Sequence, residues 1–394
     1  MGVRALVAVI LLALLALAPP ALAARPDDLS RDPLDRAALL ALPSVYRVEV
    51  VVHVRGLRLK DGTVLAMPGT SGVFEEVGTA FAAAPGGWLV SAAHVAAPNP
   101  QRIALLAYQS RERVQGRQVT EVAAREWVER NGALPVAGRV VSRRVSQADA
   151  GGGHLRSSTY MPVEVRPSDT ADLVALRIDA PGAPALRLDE AATVGTPVVT
   201  IGFGRGSSLD GPRPGDLEPE VRRGELGRTG TLEGDGDGPE REAMVITVPV
   251  EPGDSGAPVV DEDGRVRGVV VIRDADGGVA ERATEVRQLL ASIGVAPGEG
   301  AAAARFRTAM QDFWRFDFAG AQRGFAGTLA AFGGHTLAGV ERSRAQELAA
   351  ADYRLEGVRR PQRTLLALGI VAAVAALVCA IALGRLTLGR GGPR

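Results

Sequence analysis

The sequence predicts a mainly β protein, an antiparallel barrel or sandwich, followed by a small helical segment and one apolar C-terminal helix. Three observations carry this. From residue 45 to about 275 the chain runs as short apolar stretches bounded by Gly, Pro or Asp, with few helical patterns between them. Glycine is abundant at 48 of 394 residues and aromatics make up only 4%, a balance suited to turns and strands. After residue 302 the composition changes, and most of the nine phenylalanines fall between Phe306 and Phe332.

The strands follow in order. "VYRVEVVVHV" (45–54) alternates and is rich in valine. "GTAFAAAPGGWLVSAAHV" (78–95) reads as a hairpin around a Pro-Gly-Gly turn. "RIALLAY" (102–108), "ADLVALRI" (171–178), "TPVVTIGF" (196–203), "AMVITVPV" (243–250) and "RVRGVVVI" (265–272) are further short strands. "GFGRGSS" (202–208) has spaced glycines, but no helical pattern follows, so it reads as a hairpin turn and not as a nucleotide loop. "GVAERATEVRQLLASIGV" (278–295) is a strand end and a helix with Val286, Leu289, Leu290 and Ile293 on one face. A linker, "APGEGAAAA", leads to the helical segment 302–358. There Phe306, Met310, Phe313 and Trp314 share one helical face. Ala321, Phe325 and Phe332 share a second, and Leu337, Val340, Leu348 and Leu355 a third.

The two ends are addressing segments. Residues 1–23 have a short basic start, the run "ALVAVILLALLALA" and a small-residue end, the pattern of a secretory signal peptide cut after Ala23; the alternative is an uncleaved anchor. Residues 24–44 read as a linker. "TLLALGIVAAVAALVCAIALG" (364–384) carries no charge and is long enough to span ~30 Å of hydrocarbon. Arginines flank it almost evenly, so the export signal sets the orientation: residues 24–363 outside the cytoplasm and 385–394 a cytoplasmic tail. The expected location is the cell membrane, in single-pass form.

Lysine plus arginine equals aspartate plus glutamate at 45 each, which gives no reason to expect a nucleic-acid partner. The single cysteine, Cys379, excludes an intrachain disulfide and a Cys-based zinc site. No cofactor and no metal are expected.

The chemistry centres on "VPVEPGDSGAPVV" (248–260). A serine hydroxyl attacks a carbonyl only when a base takes its proton, and the base needs an orienting acid. Four histidines are available. His154 lies in a Gly-rich loop, His335 in the helical tail and His53 on a strand face. His94 ends the apolar strand "WLVSAAHV", where a barrel rim would present it. Asp172 opens "ADLVALRI".

"SAAHV", "ADLVAL" and "PGDSGAPVV" occur in the order His, Asp, Ser. Here the chain resembles the trypsin-like serine peptidases over roughly 45–297, and most of all the bacterial HtrA proteases. The resemblance implies two six-stranded antiparallel β-barrels with the active site between them. It implies His94 as base, Asp172 as its orienting acid and Ser255 as nucleophile, with the N–H groups of Gly253 and Ser255 as oxyanion hole. Asp254 would support that turn. In trypsin such an aspartate pairs with a newly cut N-terminal amine, and no activation site of that kind is visible in this sequence. An internal arginine is the expected partner. Pro249 stands where trypsin-type enzymes carry an acid, so a preference for Arg or Lys substrates is not implied.

The interval from His94 to Asp172 is longer than usual for the family. The surplus, about 109–168, includes a helix pattern in "QVTEVAAREWVERNG" (118–132); a second extended loop spans 206–224. These rim the substrate cleft or are tolerated insertions. In HtrA enzymes a PDZ domain often follows the protease, but none fits the short remainder. The segment 302–358 loosely resembles one tetratricopeptide unit, or is a plain helical hairpin that spaces the protease from the membrane. The expected function is a membrane-anchored extracytoplasmic serine endopeptidase acting on protein or peptide substrates. Two alternatives stand beside it: a catalytically silent trypsin-like fold, and a membrane scaffold or sensor that binds a protein partner through the helical segment.

Overall fold

The structure is a computed structural model that describes residues 32–69, 72–148, 157–191, 193–204, 219–232, 241–274 and 277–350. The expected signal peptide 1–23, the span 364–384 with its tail, His154, Leu355 and most of the 206–224 loop lie outside the described residues. No helix among the described residues is long and apolar enough to cross a membrane.

The chain builds two β bodies. The first uses β1 (Val45–His53), β2 (Gly56–Arg58), β3 (Val64–Ala66), β4 (Val73–Ala84), β5 (Trp88–Ala92), β6 (Leu134–Val136), β7 (Arg139–Ala148), β8 (Ser157–Tyr160), β9 (Glu164–Pro167) and β10 (Leu173–Arg177). The second uses β11 (Arg187–Leu188), β12 (Pro197–Gly202), β13 (Glu220–Leu232), β14 (Arg241–Ile246), β15 (Pro258–Asp261), β16 (Arg265–Asp274) and β17 (Gly277–Arg282).

The second body closes as expected. Its order is β11-β16-β15-β12-β13-β14-β17; β17 pairs back onto β16, which closes six antiparallel strands into a barrel, and the two-residue β11 lies parallel beside β16. The first body differs from the expected six-stranded barrel. It is a seven-stranded sheet, β8-β7-β1-β4-β5-β10-β9, and among the described residues no pairing joins β8 to β9. The long insertion after His94 accounts for this. It carries two helices and β6, which pairs with β2 to complete a separate three-stranded sheet, β3-β2-β6.

Helix α1 (Pro33–Ala41) corrects the linker reading of 24–44. Its N-cap Asp32 accepts from the Leu34 N–H at 2.9 Å, and Pro33 stands in the first turn, where its missing N–H costs nothing. Leu34, Ala37, Ala38 and Ala41 are buried in the cluster that joins the two bodies.

"RIALLAY" is also corrected. After the short helix α2 (Ala93–Ala96), it lies within α3 (Pro100–Val114), whose N-cap Asn99 accepts from the Arg102 N–H. A short apolar run has no period of its own to separate strand from helix, and here the Asn-Pro start decides. The helix expected in 118–132 forms as α4 (Glu121–Asn131), capped by Thr120 and ended by Gly132 at φ 54°. α5 (Ala283–Ser292) follows β17 and buries Val286, Leu289 and Leu290.

The helical segment forms α6 (Ala301–Trp314), α7 (Phe318–Ala331) and α8 (Ala338–Ala350). Phe306, Met310 and Phe313 of α6 meet Ala321 and Phe325 of α7, as their faces predict. Val340 departs from its expected face and is exposed; Ala338 and Ala345 fill the contact instead. Phe332 packs against the first β body, not within the helices, and Leu39 and Leu40 of α1 join the helical core. The segment therefore packs against the rest of the chain through Phe332 and α1.

Candidate active site

His94 is set by the β4–β5 hairpin. Gly86 and Gly87 turn the chain at φ 87° and 81°, and β5 then runs directly into α2, which carries His94. Asp172, just before β10, grips the start of that helix. Its Oδ1 accepts from the His94 N–H at 2.9 Å and its backbone carbonyl from the Ala93 N–H at 3.1 Å. Its Oδ2 lies 2.6 Å from His94 Nδ1. That bond places the Nδ1 proton toward the carboxylate and leaves Nε2 with its lone pair free to act as a base. Burial raises the Asp172 carboxyl. The imidazole and the two His94 hydrogen bonds outweigh this and hold it below the ordinary carboxylate value.

The Ser255 turn joins β14 to β15. Two glycines make it possible. Gly253 sits at φ 106°, and an added Cβ would lie 2.3 Å from the Phe203 carbonyl oxygen. Gly256 sits at φ 93°, and an added Cβ would lie 1.9 Å from the Thr79 carbonyl oxygen. Neither position admits a side chain. Within the turn the Asp254 N–H donates to the Glu251 carbonyl and the Ala257 N–H to the Asp254 carbonyl, at 3.0 and 2.8 Å. Among the described residues, the N–H groups of Gly253 and Ser255 have no acceptor. They are the two amides an incoming oxyanion would need. Ser255 belongs to the same neighbourhood as His94: an added Cβ on Gly78 would meet both the Ser255 carbonyl oxygen and the side chain of Val95. Among the described residues the Ser255 hydroxyl makes no hydrogen bond to His94. Such bonds are often loose until substrate arrives.

Asp254 finds the internal arginine that the sequence could not specify. Arg222, on β13, bonds Asp254 Oδ2 through Nη1, and the Glu251 N–H donates to the same oxygen at 2.8 Å. Arg222 Nη2 reaches Glu220 and, at 3.1 Å, Glu251. Burial, which outweighs the bonds from Glu251 N–H and Arg222, raises the Asp254 carboxyl above its ordinary value. Residues 220–224 were expected in a loop. They form strand, which is why Arg222 points inward while Arg223 points outward to Asp32 and Asp35 of α1.

Other residues escaped the sequence reading. Glu281 of β17, fully buried, accepts from the Asp172 N–H at 3.1 Å. Arg102 of α3 bonds Glu121 of α4 at 2.6 Å and Glu76 of β4 at 3.1 Å. Burial raises the Glu121 carboxyl, but Arg102 and His94 together pull it below its usual value. The long His94-to-Asp172 interval and the helix pattern from 118 pointed to the insertion, but not to Arg102. Nothing pointed to Glu281 or Thr79. Among the described residues no cluster of His, Cys, Asp and Glu could hold a metal ion.

An antiparallel barrel, a second β body and a His-Asp pair beside a serine turn with free amides together define a chymotrypsin-type serine hydrolase architecture. Residues 78–269 match the family described as the trypsin-like peptidase domain. The chain carries such a domain, that of a serine endopeptidase. Among solved structures, it is similar to the active form of the Rv3671c protease from M. tuberculosis, at 20% identity over 66% of this chain and 85% of that chain, with a TM-score of 0.41. It is also similar to the HtrA-type protease AlgW with a decapeptide, at 19% identity over 66% and 67% of the two chains, with a TM-score of 0.40. Deg5 is similar at 18% identity over 66% and 94%, also with a TM-score of 0.40. No curated protein matches the sequence.

Proposed function

We propose that this protein is a membrane-anchored, extracytoplasmic serine endopeptidase with His94, Asp172 and Ser255 as its triad. The observation that carries the reading is the 2.6 Å bond between His94 Nδ1 and Asp172 Oδ2. It fixes the one tautomer in which Nε2 can serve Ser255. Ser255 Oγ attacks the scissile carbonyl as Nε2 takes its proton. The carbonyl oxygen becomes an oxyanion and accepts from the Gly253 and Ser255 N–H groups. Each such donor is worth on the order of 3 kcal/mol of barrier. Collapse breaks the C–N bond, and His94 returns the proton to the leaving amine. Water then repeats the sequence on the acyl-enzyme, with His94 again as base. Asp172 stays ionised throughout and stabilises the imidazolium.

The anchoring half of the proposal rests on the uncharged run 364–384 and the export pattern of 1–23. Substrates are proteins or peptides outside the cytoplasm. The experiment is a comparison of newly cut protein termini in cells carrying wild type and Ser255→Ala. Termini that depend on Ser255 support the reading and identify the substrate. Identical terminomes sink it.

A further inference from the structure

We propose that Thr79 is a positioning residue that holds the oxyanion-hole amides in place from the opposite β body, an inference that rests on the Ser255 reading above. Thr79 lies on β4 and is fully buried. Its hydroxyl donates to the Gly253 carbonyl at 2.8 Å and accepts from the Phe203 N–H at 3.1 Å. Its N–H donates to the Ser255 carbonyl at 2.8 Å. Its own carbonyl accepts from the Ser91 hydroxyl at 2.7 Å. Every polar atom of the residue is thus used, and two of its bonds fall on the residues whose N–H groups point to the substrate.

The need for such a holder follows from the glycine. Gly253 at φ 106° has no side chain to restrict its torsions. Its N–H direction is therefore only as fixed as its neighbours make it. The Phe203 carbonyl blocks one side of Gly253, and the Thr79 hydroxyl ties down the Gly253 carbonyl. The same hydroxyl bonds the Phe203 N–H, so one side-chain oxygen links the two constraints. Arg222 holds the next residue, Asp254, from within the second barrel. Thr79 instead reaches across from the sheet that carries β5 and His94, and so couples the oxyanion hole to the base.

The main-chain bond to Ser255 survives any substitution; only the hydroxyl is testable. The readout is phosphonylation of Ser255 in the detergent-solubilised full chain by a fluorophosphonate, in which the Ser255 Oγ–P bond forms as fluoride leaves, resolved into kinact and KI. Thr79→Val keeps the shape and removes the hydroxyl. We expect kinact to fall by about 10²-fold, the cost of a misplacement near 1 Å, with KI within about twofold, because the loss falls on the reacting step and not on binding. Thr79→Ser should restore kinact to within about threefold of wild type. If Thr79→Val does not fold, Thr79→Ser and Thr79→Ala still decide the matter. Both lack the γ-methyl and differ only in the hydroxyl. Equal kinact in that pair overturns the inference, as does a Thr79→Val that melts lower but is phosphonylated at the wild-type rate. Wild type that fails to label at Ser255 overturns the proposed function and this inference together. Wild type that labels while the hydroxyl proves irrelevant overturns this inference alone.

Discussion

His335 makes the helical segment sensitive to acid. It lies between α7 and α8, 4% exposed, with its ring 4.4 Å from that of Phe306. Its Nδ1 accepts from the Ala338 N–H at 3.2 Å, so the neutral ring carries its proton on Nε2, which has no partner among the described residues. Burial lowers its pKa from 6.5 to about 4. The sign follows from the direction. A base whose folded pKa is depressed takes up protons more readily when unfolded, so stability is full above pH 6.5 and drains as pH falls toward 4. The difference corresponds to about 2 kcal/mol lost by pH 5 and roughly 3 kcal/mol below pH 4. The assay is urea denaturation between pH 7.5 and 4.5, followed by hydrogen exchange of amides in α6, α7 and α8. His335→Gln retains an acceptor and does not titrate. The wild type should lose stability across this window, and the variant should lose about 2 kcal/mol less by pH 5. Parallel pH curves for the two proteins would refute the assignment of a buried neutral imidazole.

Other expectations concern the site and the topology. Asp172→Asn should preserve the fold while kcat falls on the order of 10⁴-fold, because the imidazole loses the acceptor that fixes its tautomer; steady-state peptide hydrolysis checks this. Arg222→Met strands the Asp254 carboxylate in a buried site and should cost about 3–5 kcal/mol of stability along with activity, read by thermal denaturation and acylation rate. With Arg222 already in place, purified residues 24–363 should be active without a further N-terminal cut, and activity that appears only after such a cut would mark a zymogen. A tag after Arg394 should resist protease added outside intact cells, while one inserted in 206–224 should be digested.

The sequence marked candidate residues more readily than it marked the strand count. His94, Asp172 and Ser255 stand in local patterns that read directly, because a hairpin, a strand start and a Gly-bounded turn each leave a short-range mark. Strands of the second barrel were legible in runs such as "TPVVTIGF" and "RVRGVVVI", while their number, six, was implied only by the family resemblance. The first body was misread because its strand pairing is set at long range, which no local pattern records. "RIALLAY" failed for a different reason: six apolar or aromatic residues fit a buried strand or a helix face alike, and the Asn99-Pro100 start was passed over. Arg222 was anticipated only as an unnamed arginine. Naming it required the alternation of β13, and that stretch was read as loop. Thr79 and Glu281 act through contacts with residues more than a hundred positions away, so their roles belong to the fold alone.

The central claim is that Ser255 is a nucleophile activated by His94. The most direct measurement is fluorophosphonate labelling of the full-length protein with the modified residue located by mass spectrometry. Wild type should carry one adduct, on Ser255, while Ser255→Ala carries none and His94→Ala labels slower by several orders of magnitude. An unlabelled wild type, an adduct on another residue, or a His94→Ala protein that labels at the wild-type rate would contradict the account.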